Sequence, residues 1–183
     1  MENKLERMIL FQESVRQHRN EKYRKEYREK GYTKGWIAER IRYENTHNQL
    51  EDAWGGHGVI SHGESNRLTR EILRTWSGLS EQEYMELKGL VPRITSMKTL
   101  FDNMTSKELG LQILGEEAVL ALLAEQDLPP GWDLRFISKL GGGQAYKARR
   151  EMEKQYTEQH GSDTSIVTPM TFFQYKRSLI GDL

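Results

Sequence analysis

The chain has no cysteine, only four prolines in 183 residues, and no apolar run near the roughly 18 residues that a membrane span needs. Without cysteine there are no disulfides, no thiolate metal sites and no cysteine nucleophile. The N-terminal stretch Met1–Glu13 mixes acids with its bases, unlike a secretory signal. A cytoplasmic location and no membrane partner are therefore expected. The sequence also lacks a Gly-Lys-Ser or Gly-Lys-Thr loop ending, which removes the phosphate cradle of a nucleotide-hydrolysing P-loop. No nucleophile with a base and no carboxylate pair at productive spacing is present, so the expectation is a binding protein and not an enzyme, with no cofactor and no metal.

What is present is charge and helix periodicity. Apolar residues make up 36% and charged residues 30%, and mean hydropathy is -0.78. With 4 Trp, 8 Tyr and 5 Phe the chain still has enough to bury, which argues against disorder throughout. The expected class is mainly α: a compact helical domain with a long basic N-terminal helix or helical hairpin and Gly-rich loops. Net charge is zero, but the charges are sorted. Arg16–Arg42 holds ten bases against four acids (+6), Asp102–Asp133 seven acids against one base (-6), and Arg135–Lys154 six bases against two acids (+4). Basic stretches attract phosphate backbones or acidic protein patches, although solvated helices also carry charge of this kind.

Taken in order, residues 1–45 read as a basic helical arm or hairpin. Asn3–Lys30 has no Pro or Gly, and Gly31 stops it. Its apolar residues Leu5, Met8, Ile9, Phe11 and Val15 lie in the first half, so that half is expected to pack. The second half, with Arg16, Arg19, Lys22, Arg24, Lys25 and Arg28, is expected to project toward nucleic acid or to form the arm of a homodimer. Thr33 suits the N-cap of a second helix to about Asn45. Residues 46–65 read as a Gly/His-rich loop, where His47, His57 and His62, with Asp52 and Glu64, invite a metal or nuclease reading. Their spacing matches no compact ligand motif, so an ordinary polar loop is expected instead.

Residues 66–183 read as the helical core. Leu68, Ile72, Leu73 and Trp76 share a face, Gly78 ends it, and Ser80 with Glu83 forms a capping box for a short helix. The pair resembles a helix-turn-helix, but Glu81, Glu83 and Glu86, with the neutral Gln82 between them, make the second helix acidic where a DNA reader is basic, which favours packing. Thr105 and Glu108 cap a central helix over Ser106–Glu125, with Glu116, Glu117, Glu125 and Asp127 expected to form an acidic, partner-binding face. Gly141, Gly142 and Gly143 are expected to open a basic helix. Free N–H groups there would meet a phosphate, and Lys147, Arg150 and Lys154, with Arg149 beside them, would track the backbone. The other reading is a flexible hinge before a solvated helix. Phe172, Phe173, Tyr175, Leu179 and Ile180 suggest a C-terminal amphipathic helix.

Several blocks carry a resemblance. "LTREILRTWSGLSEQEYMELKGL" (Leu68–Leu90), "LFDNMTSKELGLQILGEEAVLALLAEQD" (Leu100–Asp127), "GGGQAYKARREMEKQ" (Gly141–Gln155) and "IVTPMTFF" (Ile166–Phe173) together resemble the C-terminal region of damage-inducible protein D and related phage proteins. Longer relatives carry an N-terminal BRO-type DNA-binding domain, whereas here the basic segment Leu5–Tyr43 stands in that place. A short, free-standing chain of this kind is similar to phage-encoded type II-A anti-CRISPR proteins, inhibitors of RNA-guided DNA nucleases that also associate with double-stranded DNA. The resemblance implies a type II RNA-guided DNA nuclease with its guide RNA and double-stranded DNA as partners, in the cytoplasm of an infected bacterial host. It marks no catalytic residue. The alternative expectation is a phage DNA-binding regulator, such as an antirepressor or recombinase-filament modulator, that needs no nuclease.

Overall fold

Two capping boxes set the frame. Ser80 accepts from the Glu83 amide while the Glu83 carboxylate accepts from Ser80 N, and Thr105 and Glu108 repeat the arrangement. They begin α4 (Glu81–Leu87) and α6 (Ser106–Leu123). The computed structural model describes residues 4–59, 61–124, 128, 132–161 and 165–174, and among them there is no strand. The other helices are α1 (Lys4–Glu29), α2 (Lys34–Gly56), α3 (His62–Ser77), α5 (Met97–Asp102) and α7 (Leu134–His160). The mainly α class is as the periodicity implied. No described helix is long and apolar enough to cross a membrane.

α6 is the central element, in contact with α2, α3 and α7, and α3 also packs along α7, while α1 leans on α2 alone among the helices it touches substantially. The core is built from Trp36, Leu50, Trp54, Ile72, Leu73, Trp76, Leu109, Ile113 and Val119, all 0–1% exposed. Three glycines decide how close these helices come. A Cβ on Gly115 would meet Ile72 Cγ2 at 2.8 Å, one on Gly142 would meet Thr75 Cβ at 2.7 Å and Ile72 O at 2.8 Å, and one on Gly141 would run into Val119 and the Gly115 carbonyl. Each interior glycine costs a helix about 1 kcal/mol relative to alanine, and here that cost is offset by backbone-close packing of α7 against α3 and α6.

Four expectations are corrected. The 46–65 loop is largely helix: α2 continues to Gly56 because Tyr43, Leu50 and Trp54, at spacings of seven and four, carry its buried face onward. Only His57–Ser61 separates it from α3. The triple glycine does not open a helix. Asp133 accepts from the Phe136 amide at 2.7 Å and starts α7 seven residues earlier, so Gly141–Gly143 lie mid-helix.

The halves of α1 are also exchanged relative to expectation. Its second half docks, with Tyr27 fully buried, and its first half stands out, with Met8, Ile9, Leu10, Phe11 and Val15 exposed. The cause is an aromatic and ionic anchor at the hairpin. Tyr27 packs on Trp36 and Tyr32 with ring centroids at 5.2 and 5.5 Å, and Tyr32 stacks on Trp36 at 3.9 Å and on Phe172 at 5.1 Å. Tyr27 Oη donates to Asp102 Oδ1 at 2.7 Å, and Arg40 Nε donates to the same oxygen at 2.9 Å. Burial raises the Tyr27 hydroxyl pKa far above its usual range. Burial works against the Asp102 carboxylate, but Arg40, Lys98 and Tyr27 together lower it.

Last, Glu116 does not belong to an acidic surface. Glu116 is fully buried, and Glu117 is engaged by Arg42 Nη2 at 2.9 Å. Glu125, Asp127 and the residues Tyr175, Leu179 and Ile180 of the expected C-terminal helix lie outside the described residues.

Candidate nucleic-acid interface

The exposed surface of α7 holds one open group of cations among those expected to bind phosphate. Its N-terminal part is fixed between α3 and α6 by Gly141, Gly142 and Ala145, and that register turns Lys147, Arg150 and Lys154 to solvent. Arg150 reaches Glu153 Oε2 only at 3.5 Å and Lys154 reaches Glu158 only at 3.9 Å, with the two cations 64% and 67% exposed. Contacts this long and this wet hold a side chain weakly and leave it available. From residue 147 to 154 the stripe is about 10 Å long, the axial length of about three base pairs. Tyr146, 45% exposed, borders it.

The rest of the expected set divides. Arg149 turns inward: its Nε donates to Glu153 Oε1 at 2.8 Å and its Nη1 to the carbonyls of Trp76 at 3.2 Å and Ser77 at 2.6 Å. It closes the C-terminal end of α3, where orphan carbonyls and the helix dipole favour a cation. Burial opposes ionisation of Glu153, but Arg149 and the Ile166 amide together lower its pKa. Gly142 is buried, Gly143 is half-buried, and their position within α7 commits their N–H groups to the helix. On α1, Arg16 pairs with Glu13 at 3.2 Å, Arg24 with Glu21 at 2.6 Å, and Arg19 donates to Asn48 at 3.3 Å. Lys22, Lys25 and Arg28 are exposed, and no carboxylate pairs with them among the described residues. α2 and α6 separate α1 from α7, so these are two basic surfaces and not one.

The histidines resolve differently from the loop reading. His47 stacks on Tyr43 at 5.5 Å and places Nδ1 3.2 Å from Glu116 Oε1, while His62 Nδ1 lies 3.5 Å and His47 Nε2 3.8 Å from Glu51 Oε1. Burial by itself would lower the pKa of His47, but Glu116, Glu51 and Glu44 together raise it. His57 is exposed. Among the described residues no group of three or more His, Asp or Glu side chains is arranged to hold a metal ion.

Sequence reasoning missed a polar spine on α6. Glu108, Gln112 and Glu116 are each fully buried at successive steps of four. Glu108 accepts from Tyr84 Oη at 2.6 Å, Lys88 Nζ at 2.8 Å, Thr105 N at 2.7 Å and Thr168 N at 3.3 Å. Gln112 accepts from Trp76 Nε1 at 2.7 Å and donates to Glu116 at 2.9 Å. The signal was available: three polar residues at i, i+4 and i+8 define one line of a helix whose other interior positions are mostly apolar. This spine joins α2, α3, α4 and the 165–170 segment.

No family model matches the chain, and neither a curated protein nor a solved structure matches it.

Proposed function

We propose that this protein is a stoichiometric inhibitor of anti-CRISPR type: it binds a guide-loaded type II RNA-guided nuclease, contacts nucleic acid through α7, and impedes target engagement. The observation that carries the nucleic-acid half is the open stripe of Lys147, Arg150 and Lys154. The nuclease half is supported by the resemblance of Leu68–Phe173 to the phage proteins described above. Such a nuclease threads duplex and heteroduplex through a positive channel and holds both by their phosphate backbones. A cationic helix competes for those phosphates, on guide RNA or on target DNA.

Of the acidic residues expected to meet a partner, Glu116 is internal, and Glu117, whose side chain is 43% exposed, is paired with Arg42. The mechanism therefore places the charged contact on α7 and leaves protein–protein recognition to other surfaces. The test is co-elution of the protein with guide-loaded nuclease, for wild type and for the triple variant Lys147→Glu, Arg150→Glu, Lys154→Glu. Wild type is expected to form the complex, and the triple variant to bind more weakly and to lose inhibition while keeping its helical spectrum. Undiminished inhibition by the variant would remove α7 from the mechanism. Salt-sensitive DNA binding with no complex for any nuclease tried would favour the DNA-binding regulator.

A further inference from the structure

The cations of α7 belong to a longer line. Phe136, Lys139, Gly143, Lys147, Arg150 and Lys154 follow one another at steps of three or four, which keeps them on one face of the helix over about 27 Å. No carboxylate stands on this line; Glu151 flanks it beyond Lys147 and accepts from Gln155 Nε2 at 2.8 Å. Lys139 is 50% exposed and lies only 3.8 Å from Glu71, which Arg135 already holds at 3.0 Å. Phe136 is 41% exposed, with Trp132 packed T-shaped against it at 5.2 Å. Tyr146, one helical turn from both Gly143 and Arg150, is 45% exposed. Gly143 is the residue that packing does not explain. Gly141 and Gly142 exclude a side chain against α6 and α3, but a Cβ at 143 would meet nothing within 4 Å. A glycine inside a helix lowers its stability with no gain unless something approaches the bare backbone. At this position the approach is from solvent, between Lys139 and Lys147.

We infer that the ligand of this line is single-stranded nucleic acid, its phosphates meeting Lys139, Lys147, Arg150 and Lys154 while unpaired bases stack on Phe136 and Tyr146. The inference rests on the α7 contact proposed above and narrows its ligand. A duplex is held by the cations alone, because its bases are stacked on one another and show only their edges in the grooves. An unpaired strand offers base faces, and an aromatic side chain gains from stacking with any of them. Two rings left half in water among four cations suit that ligand, whereas against a duplex backbone they add nothing. Gly143 completes the arrangement. Lys139 and Lys147 are about 12 Å apart along the axis, and the missing side chain between them lets a strand lie against the helix.

The test is a fluorescence titration of the full chain with labelled oligothymidine and oligouridine of about 12 nucleotides, and with a DNA duplex of the same length, at one salt concentration. At least one of the single strands is expected to bind about tenfold or more tightly than the duplex, and the two arms tell DNA from RNA. Phe136→Ala and Tyr146→Ala are each expected to weaken single-strand binding about fivefold or more, and Tyr146→Phe to retain it. Gly143→Gln is expected to make the fold more resistant to urea and yet to weaken the same binding, a separation that a purely structural glycine would not give. Duplex binding as tight as that of both single strands overturns the inference, as does a single-strand preference that survives the Phe136→Ala, Tyr146→Ala double variant. If the triple variant Lys147→Glu, Arg150→Glu, Lys154→Glu still loses binding in those cases, α7 remains a phosphate-binding helix. If that variant binds both forms as wild type does, the α7 contact itself is removed, and the inference with it.

Discussion

Replacing Lys88 by methionine should be among the most damaging single changes in the molecule. Lys88 and Glu108 are both 0% exposed and paired at 2.8 Å, and Lys88 also donates to the Met170 carbonyl at 2.7 Å. Burial lowers the pKa of Lys88 although Glu108 acts to raise it, so this cation is held in place by that one carboxylate. Methionine keeps the length and the apolar stem but leaves the Glu108 charge with neutral donors only: Tyr84 Oη and the amides of Thr105 and Thr168. Breaking a buried pair from one side typically costs about 3–5 kcal/mol. At roughly 2–4 °C per kcal/mol for a chain of this size, the melting temperature should fall by roughly 6–20 °C. Glu108→Gln should cost a similar amount, and the double variant should recover much of it, because no unpaired charge remains. Urea unfolding followed by circular dichroism across the full double-mutant cycle measures this. A Lys88→Met loss below about 1 kcal/mol, or strictly additive losses, would refute a buried and mutually dependent pair.

The glycines of α7 should behave oppositely to one another. Gly141→Ala and Gly142→Ala should each destabilise by about 1–3 kcal/mol through overpacking against Val119 or Thr75, whereas Gly143→Ala, facing open space, should stabilise by up to ~1 kcal/mol in the same unfolding assay. His47 has its pKa raised by Glu116, Glu51 and Glu44, so its contribution is fully present below its unfolded value of about 6.5 and is lost as pH rises through the folded value. Wild-type stability should therefore decline as pH rises above about 6.5, and His47→Gln should flatten that decline; an identical slope in the variant would contradict the assignment. On duplex DNA, the α7 triple charge reversal should reduce the slope of log K against log salt by at least about 2.7, near 0.9 per cation removed, and an unchanged slope would place the phosphate contacts elsewhere.

Helix class and caps were legible because they are local. Ser80 with Glu83 and Thr105 with Glu108 form the boxes that their three-residue spacing implied. The errors fell where tertiary packing overrides local signals. Glycine at 141–143 looks like a helix breaker until Val119, Thr75 and Ile72 show why a side chain is excluded at the first two positions. α1 was read backwards because counting apolar residues favours Met8–Val15, whereas the anchor is Tyr27 with Asp102 and Arg40, partners 75 and 62 residues apart from Asp102 in sequence. Acidic residues on α6 looked like a surface because sequence cannot tell a solvated Glu117 from a buried Glu116. Only the line through Glu108 and Gln112 separates them. Of the cationic site, Lys147, Arg150 and Lys154 were legible from spacing, and the inward turn of Arg149 was not, since it depends on where α3 ends.

The measurement that tests the central claim most directly is a target-DNA cleavage titration with guide-loaded type II nuclease, the protein being added before the DNA. Inhibition that saturates at a fixed ratio of protein to nuclease, and that the α7 triple reversal abolishes, is the predicted result. Full cleavage at saturating protein across a panel of such nucleases, with salt-sensitive DNA binding retained, would contradict the inhibitor account.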